Sequence, residues 1–135
     1  MGFAKAMLES RLSFHFGDVT EDQYVDSSTK DIILPDFLPS AFVCNCDETA
    51  AKLIKKLEDM GKKVPEDISV VGFDDFLMAG DDSFQLTTIA VDFEAMAESA
   101  AELILEKLKN PPATPKYVVI GGKIIIRDSV RRITS

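Results

Sequence analysis

The residues best placed to do chemistry are two carboxylates at the end of an apolar run: Ile68-Ser69-Val70-Val71-Gly72-Phe73 leads directly into Asp74-Asp75. Pro65 cannot donate to a ladder and marks the entry, while Ile68, Val70, Val71 and Phe73 lack strict alternation, the pattern of a strand covered on both faces. Such strands belong to parallel sheets, whose ligands bind beyond the carboxyl ends, so Asp74 stands where a polar ligand contact is expected. Asp75 reads as a turn or capping acid. A further acid, Asp47, lies in the polar cluster Asn45-Cys46-Asp47-Glu48-Thr49 that follows the short apolar segment 41–44. At a helix start the dipole favours its carboxylate, and peptide N–H groups there could face a ligand oxygen; the other reading of Asp47 is an N-cap.

Other chemistries find little support. Cys44 and Cys46 are two apart along a strand end, a poor spacing for an intrachain bridge, and the single histidine is the distant His15. Reduced thiols are expected, and no zinc site, which needs about four ligands. Neither a nucleophile–base pair nor a glycine-rich phosphate loop is visible, so no enzyme activity, metal or cofactor is expected.

Positioning these acids requires a frame. Leu53, Ile54, Leu57 and Met60 recur at helical spacing, with Lys52, Lys55, Lys56 and Glu58 turned outward and Gly61 placed as a C-terminal cap, which predicts a helix from Asp47 or Glu48 to Met60. The strand at 41–44, this helix and the strand at 68–73 form a βαβ unit, whose two strands run parallel. Asp47 and Asp74 therefore emerge at one edge. Residues 3–10 have the pattern of a helix body, Thr20-Glu21-Asp22-Gln23 fits a capping box, and 87–91 reads as extended. Residues 93–109 form an amphipathic helix with Phe93, Met96, Ala97, Ala100, Ile104 and Leu108 on one stripe, stopped by Pro111 and Pro112. Gly121-Gly122 between two β-favouring runs signals a two-residue hairpin.

The 135 residues allow one α/β domain, and a formal charge of −8 would repel a phosphate backbone, so this piece should not bind nucleic acid by itself. No apolar run approaches the roughly 18–20 residues of a membrane span, and residues 1–15 lack a signal-peptide pattern. No membrane partner is expected, and a cytoplasmic location is.

Residues from about Pro39 to Val130 resemble the carboxyl-terminal part of the effector-binding domain of LacI/GalR-family transcription regulators, a periplasmic-binding-protein type I-like fold. The resemblance rests on four motifs in order: Phe42-Val43-Cys44-Asn45-Cys46-Asp47-Glu48-Thr49-Ala50, the run from Gly61 through Val64-Pro65-Glu66-Asp67-Ile68-Ser69 to Asp75, Leu86-Thr87-Thr88-Ile89, and Arg127-Asp128-Ser129. It implies a parallel-sheet lobe of a hinged, two-lobed domain that closes on a small-molecule effector, commonly a sugar or related metabolite. Residues 1–91 would form the carboxyl-terminal lobe, 92–112 a crossover helix of the amino-terminal lobe, and 113–135 the return hairpin and tail. By resemblance, Asp74 accepts hydrogen bonds from effector, and Asp47, Asn45 and Cys46 lie in the other binding motif. Cys46 departs from the family's usual asparagine and loses an amide that can both donate and accept. Phe93 matches a position near the ligand, although it also begins the helix stripe, and core packing is the safer reading.

The family also implies a homodimer, with the apolar Leu77, Met78 and Ala79 expected at the subunit interface or tucked under their loop, and operator DNA bound only through a headpiece missing from this chain. Two alternatives are a stand-alone solute-binding domain and a Mg²⁺-dependent phospho-receiver, whose acid order fits poorly.

Overall fold

The structure, a computed structural model, describes residues 2–12, 32–35, 37–76, 85–111 and 114–133. The chain divides into two units, Met1–Leu38 and Pro39–Ser135. In the first, α1 (Gly2–Glu9) is the helix expected over 3–10. The capping box at Thr20–Gln23 lies outside the described residues, as do Leu77, Met78 and Ala79.

The second unit holds β1 (Ala41–Val43), α2 (Asp47–Asp59), β2 (Ser69–Val71), β3 (Thr88–Ala90), α3 (Phe93–Lys109) and β4 (Lys123–Ile125). β1 and β2 pair in parallel with Phe42 opposite Val70, as the βαβ pattern requires. α2 turns Ala50, Leu53, Ile54 and Leu57 inward, and these are buried together with Ile68, Val70 and Leu86. Its end is set locally. Gly61 takes φ 75°, its N–H donates to the Glu58 carbonyl (2.8 Å), and the Lys62 N–H donates to the Leu57 carbonyl (2.9 Å), the paired bonds of a Schellman stop.

Beyond β2 the strand continues alongside the segment entering β3. The Gly72 N–H donates to the Thr87 carbonyl and the Asp74 N–H to the Ile89 carbonyl, both at 2.9 Å, and bridges join Val71 to Thr87 and Asp74 to Ala90 in parallel. β3 then pairs antiparallel with β4, Ile89 opposite Ile124.

The hairpin expected at Gly121-Gly122 is not formed: residues 117–122 are not a strand, and Lys123–Ile125 pairs with β3 instead. Gly122 is needed for close approach, since a Cβ there would lie 2.7 Å from Ile89 Cγ2 and 3.2 Å from the Ala90 carbonyl oxygen. Glycine pairs signal a tight turn only when both flanks prefer each other to a third strand.

α3 has the bounds its stripe and prolines predict, with Asp92 capping it by accepting from the Ala95 N–H (2.9 Å). None of its residues is buried.

Candidate functional site

The carboxyl ends of β1 and β2 come together around Gly72. The Asp47 N–H donates to the Phe73 carbonyl (3.0 Å), which ties the first residue of α2 to the exit of β2. Cys46, not Asp47, holds the cap position, in extended backbone and with no side-chain capping bond; its Sγ lies 3.2 Å from Thr49 Oγ1. The Asp47 carboxylate turns inward. It is 2% exposed, accepts a 2.6 Å bond from Thr88 Oγ1 through Oδ1, and leaves Oδ2 buried without a partner among the described residues. Gly72 makes room for it, because a Cβ at that position would stand 2.1 Å from Asp47 Oδ1.

Burial pushes the Asp47 carboxyl above its ordinary value of 3.8, with the charges of Asp74 and Asp75 adding to the effect and the Thr88 hydroxyl and Phe73 peptide opposing it. A carboxyl that holds its proton more tightly when folded stabilises the protein fully below the unfolded value, and that contribution is lost as pH rises through the folded value. Asp47→Asn keeps the acceptor for Thr88 and cannot ionise. Urea denaturation at several pH values from 4 to 8 should therefore find the variant gaining on the parent as pH rises; a constant difference would show that Asp47 does not titrate differently on folding. Asp47→Ala should instead cost about 1–3 kcal/mol throughout, since it strands the buried Thr88 hydroxyl.

Asp74 and Asp75 stand at the sheet edge as expected, half-buried, but on backbone that local pattern does not announce: φ is 98° at Asp74 and 54° at Asp75. Left-handed conformations at residues other than glycine cost on the order of 1–3 kcal/mol each and persist where surrounding contacts impose them. Here Asp74 Oδ1 accepts from the Phe76 N–H (2.9 Å), an Asx turn. Asp75 Oδ1 accepts from Arg127 Nη1 (2.8 Å), which also donates to the Leu86 carbonyl (2.8 Å). The turn-closing carboxylate is that of Asp74 rather than Asp75, whose ion pair with Arg127, 52 residues away, is a feature that sequence reasoning missed. The Arg127-Asp128-Ser129 motif was its only signal.

The same motif builds the floor. Ser129 Oγ donates to the Val70 carbonyl (2.6 Å) and accepts from the Thr87 N–H (2.8 Å); Thr87 Oγ1 donates to the Arg127 carbonyl and accepts from its N–H, both at 3.0 Å.

Of the remaining candidates, Asn45 is exposed and Cys46 half-buried just ahead of α2, and Phe93 is 54% exposed at the start of α3. Phe93 packs in no core of this chain, and its helix is the one the sequence reading assigns to the other lobe. Cys44 and Cys46 are free thiols, and burial, helped by Cys46 and Asp47, pushes the Cys44 thiol up to about 12. Among the described residues no group of three or more His, Cys, Asp or Glu is arranged to hold a metal ion.

A parallel edge with a buried acid, two half-buried acids on left-handed backbone and a polar floor defines an α/β lobe with its acids at the carboxyl ends of the strands. The chain belongs to the periplasmic-binding-protein-like family, whose model matches residues 1–130, and corresponds to the carboxyl-terminal part of the effector-binding domain of LacI-family regulators. It is 30% identical to the transcriptional repressor PurR of Glaesserella parasuis over 98% of its length and 42% of the relative's, and 32% identical to the transcriptional regulator GanR of Bacillus subtilis over 93% and 38%. The chain thus spans about two fifths of these curated relatives. Among solved structures, a LacI-family regulator from Enterococcus faecalis with bound ribose matches with a TM-score of 0.64 at 29% identity, over 73% of this chain and 37% of that one. A LacI regulator from a Rhodococcus species matches with a TM-score of 0.63 at 31% identity, over 71% and 35%. No helix among the described residues is long and apolar enough to cross a membrane.

Proposed function

We propose that this chain is the carboxyl-terminal part of the small-molecule-sensing domain of a cytoplasmic, dimeric LacI/GalR-type transcription regulator, without enzymatic activity. Operator DNA would be bound only through a headpiece outside this chain. The effector is a sugar or related metabolite, in line with the ribose found in related regulators. Residues 1–91 serve as one lobe, α3 within 92–112 packs in the other, and 113–135 returns.

The observation that carries this reading is Asp74, an acid at the carboxyl end of a parallel strand, half-buried on backbone with φ 98°, whose Oδ1 closes the local turn on the Phe76 N–H. A carboxylate so placed accepts from sugar hydroxyls or ring N–H groups. Asn45 and Phe93 supply an amide and an aromatic face, and Cys46 a thiol where the family uses an amide. Asp47 contributes by fixing the start of α2. Regulation then follows from differential affinity, because an effector touching both lobes favours the closed form and only that preference can alter operator affinity.

The test is calorimetry on the product of the whole reading frame, against pentoses, hexoses, disaccharides and purine bases. One class should bind saturably, and Asp74→Asn should weaken it about tenfold or more, the loss of a charge-assisted bond worth about 1.5–3 kcal/mol, with an unchanged melting temperature. Binding that is indifferent to Asp74→Asn, or no binding across the panel, would count against the proposal.

A further inference from the structure

We infer that Arg127 is the positioning residue for the Asp74 carboxylate: one guanidinium nitrogen clasps Asp75 and the Leu86 carbonyl together and thereby holds the left-handed turn that aims Asp74 out of the sheet. The inference rests on the reading of Asp74 as the effector acid, but its geometry stands independently. Asp74 is tied to the sheet by its parallel bridge to Ala90, in which its N–H donates to the Ile89 carbonyl at 2.9 Å, and locally by Oδ1, which accepts from the Phe76 N–H. Neither determines the next residue. Asp75 must also take φ 54°, and the described contact that imposes this is its carboxylate on Arg127 Nη1 at 2.8 Å.

Arg127 is itself well anchored. Its N–H and carbonyl bracket Thr87 Oγ1, and the next two residues, Asp128 and Ser129, both donate their N–H to the Gln85 carbonyl at 3.0 and 3.1 Å. The guanidinium is therefore a fixed post, and Asp75 is drawn to it. The pair is 23% and 27% exposed at the two side chains, so solvent screens it less than an exposed surface pair. A single planar fork serves two acceptors here, which a lysine ammonium on a flexible stem reproduces only in part.

Amide hydrogen exchange followed by NMR on the intact chain tests the clasp without any ligand. Arg127→Gln should speed exchange at Asp74 and Phe76 about tenfold or more while leaving Val70 and Ala50 unchanged, with Arg127→Lys intermediate. Asp75→Asn, which keeps an acceptor but removes the charge, should show the same localised effect and serves if Arg127→Gln fails to fold. Unchanged exchange at Asp74 and Phe76 would overturn the inference, as would a uniform rise that includes Val70, since Arg127 would then act only on global stability. A localised rise in a protein that binds nothing in the small-molecule panel would support the clasp and sink the sensing role. If an effector is found, Arg127→Gln should weaken it about tenfold, and undiminished affinity would overturn the clasp alone.

Discussion

Gly72→Ala should be among the most damaging single substitutions in this chain, costing about 3–5 kcal/mol, a large share of the roughly 5–15 kcal/mol typical of a domain. The new Cβ would fall 2.1 Å from Asp47 Oδ1 and 2.7 Å from Leu86 Cδ2. Neither neighbour can move aside, because Leu86 is fully buried and Asp47 is bonded to Thr88 at 2.6 Å. Overpacking alone costs about 1–3 kcal/mol, and displacing Asp47 adds the loss of that bond and an unsatisfied hydroxyl. Gly61→Ala is the matched control. Gly61 has φ 75° but nothing within 4 Å of a Cβ, so strain acts there without collision, at about 1 kcal/mol. Urea denaturation followed by far-ultraviolet circular dichroism compares the two, and a Gly72→Ala loss no larger than that of Gly61→Ala would refute the account of the site's interior.

The second large effect concerns α3. Phe93, Met96, Ile104 and Leu108 are 54, 46, 60 and 72% exposed along one stripe of a helix that buries none of its residues. Burying such a side chain from full exposure is worth about 1.5–3 kcal/mol, and with roughly half to two-thirds of that still to be gained at each, covering the stripe is worth about 3–7 kcal/mol, comparable with the stability of a marginal domain. As a 135-residue chain, the protein should associate through this stripe. An antiparallel pair suits its charges, because Glu94 and Glu98 near one end would face Lys109 near the other end of the second copy. Light scattering should give a mass near twice 14.9 kDa for the parent chain and near 14.9 kDa for Ile104→Glu. A parent chain that stays monomeric at high concentration and binds no hydrophobic dye would disprove it.

What the sequence determined by itself was whatever depends on neighbours along the chain. α2 and α3 follow from apolar spacing, from Gly61 at the end of α2, and from prolines after α3. The parallel pairing of β1 with β2 follows from the helix between them, and the acids at the edge follow from the end of an apolar run. The LacI/GalR resemblance was legible for the same reason, as its motifs are short and ordered. Tertiary structure decided which distant partners meet. Lys123–Ile125 prefers β3 to the residues just before Gly121, Asp47 turns its carboxylate onto Gly72 and Thr88, and Arg127 reaches Asp75. Strand partners, a carboxylate's direction and an ion pair across 52 residues depend on burial and register summed over the whole sheet. Local spacing carries no record of that sum.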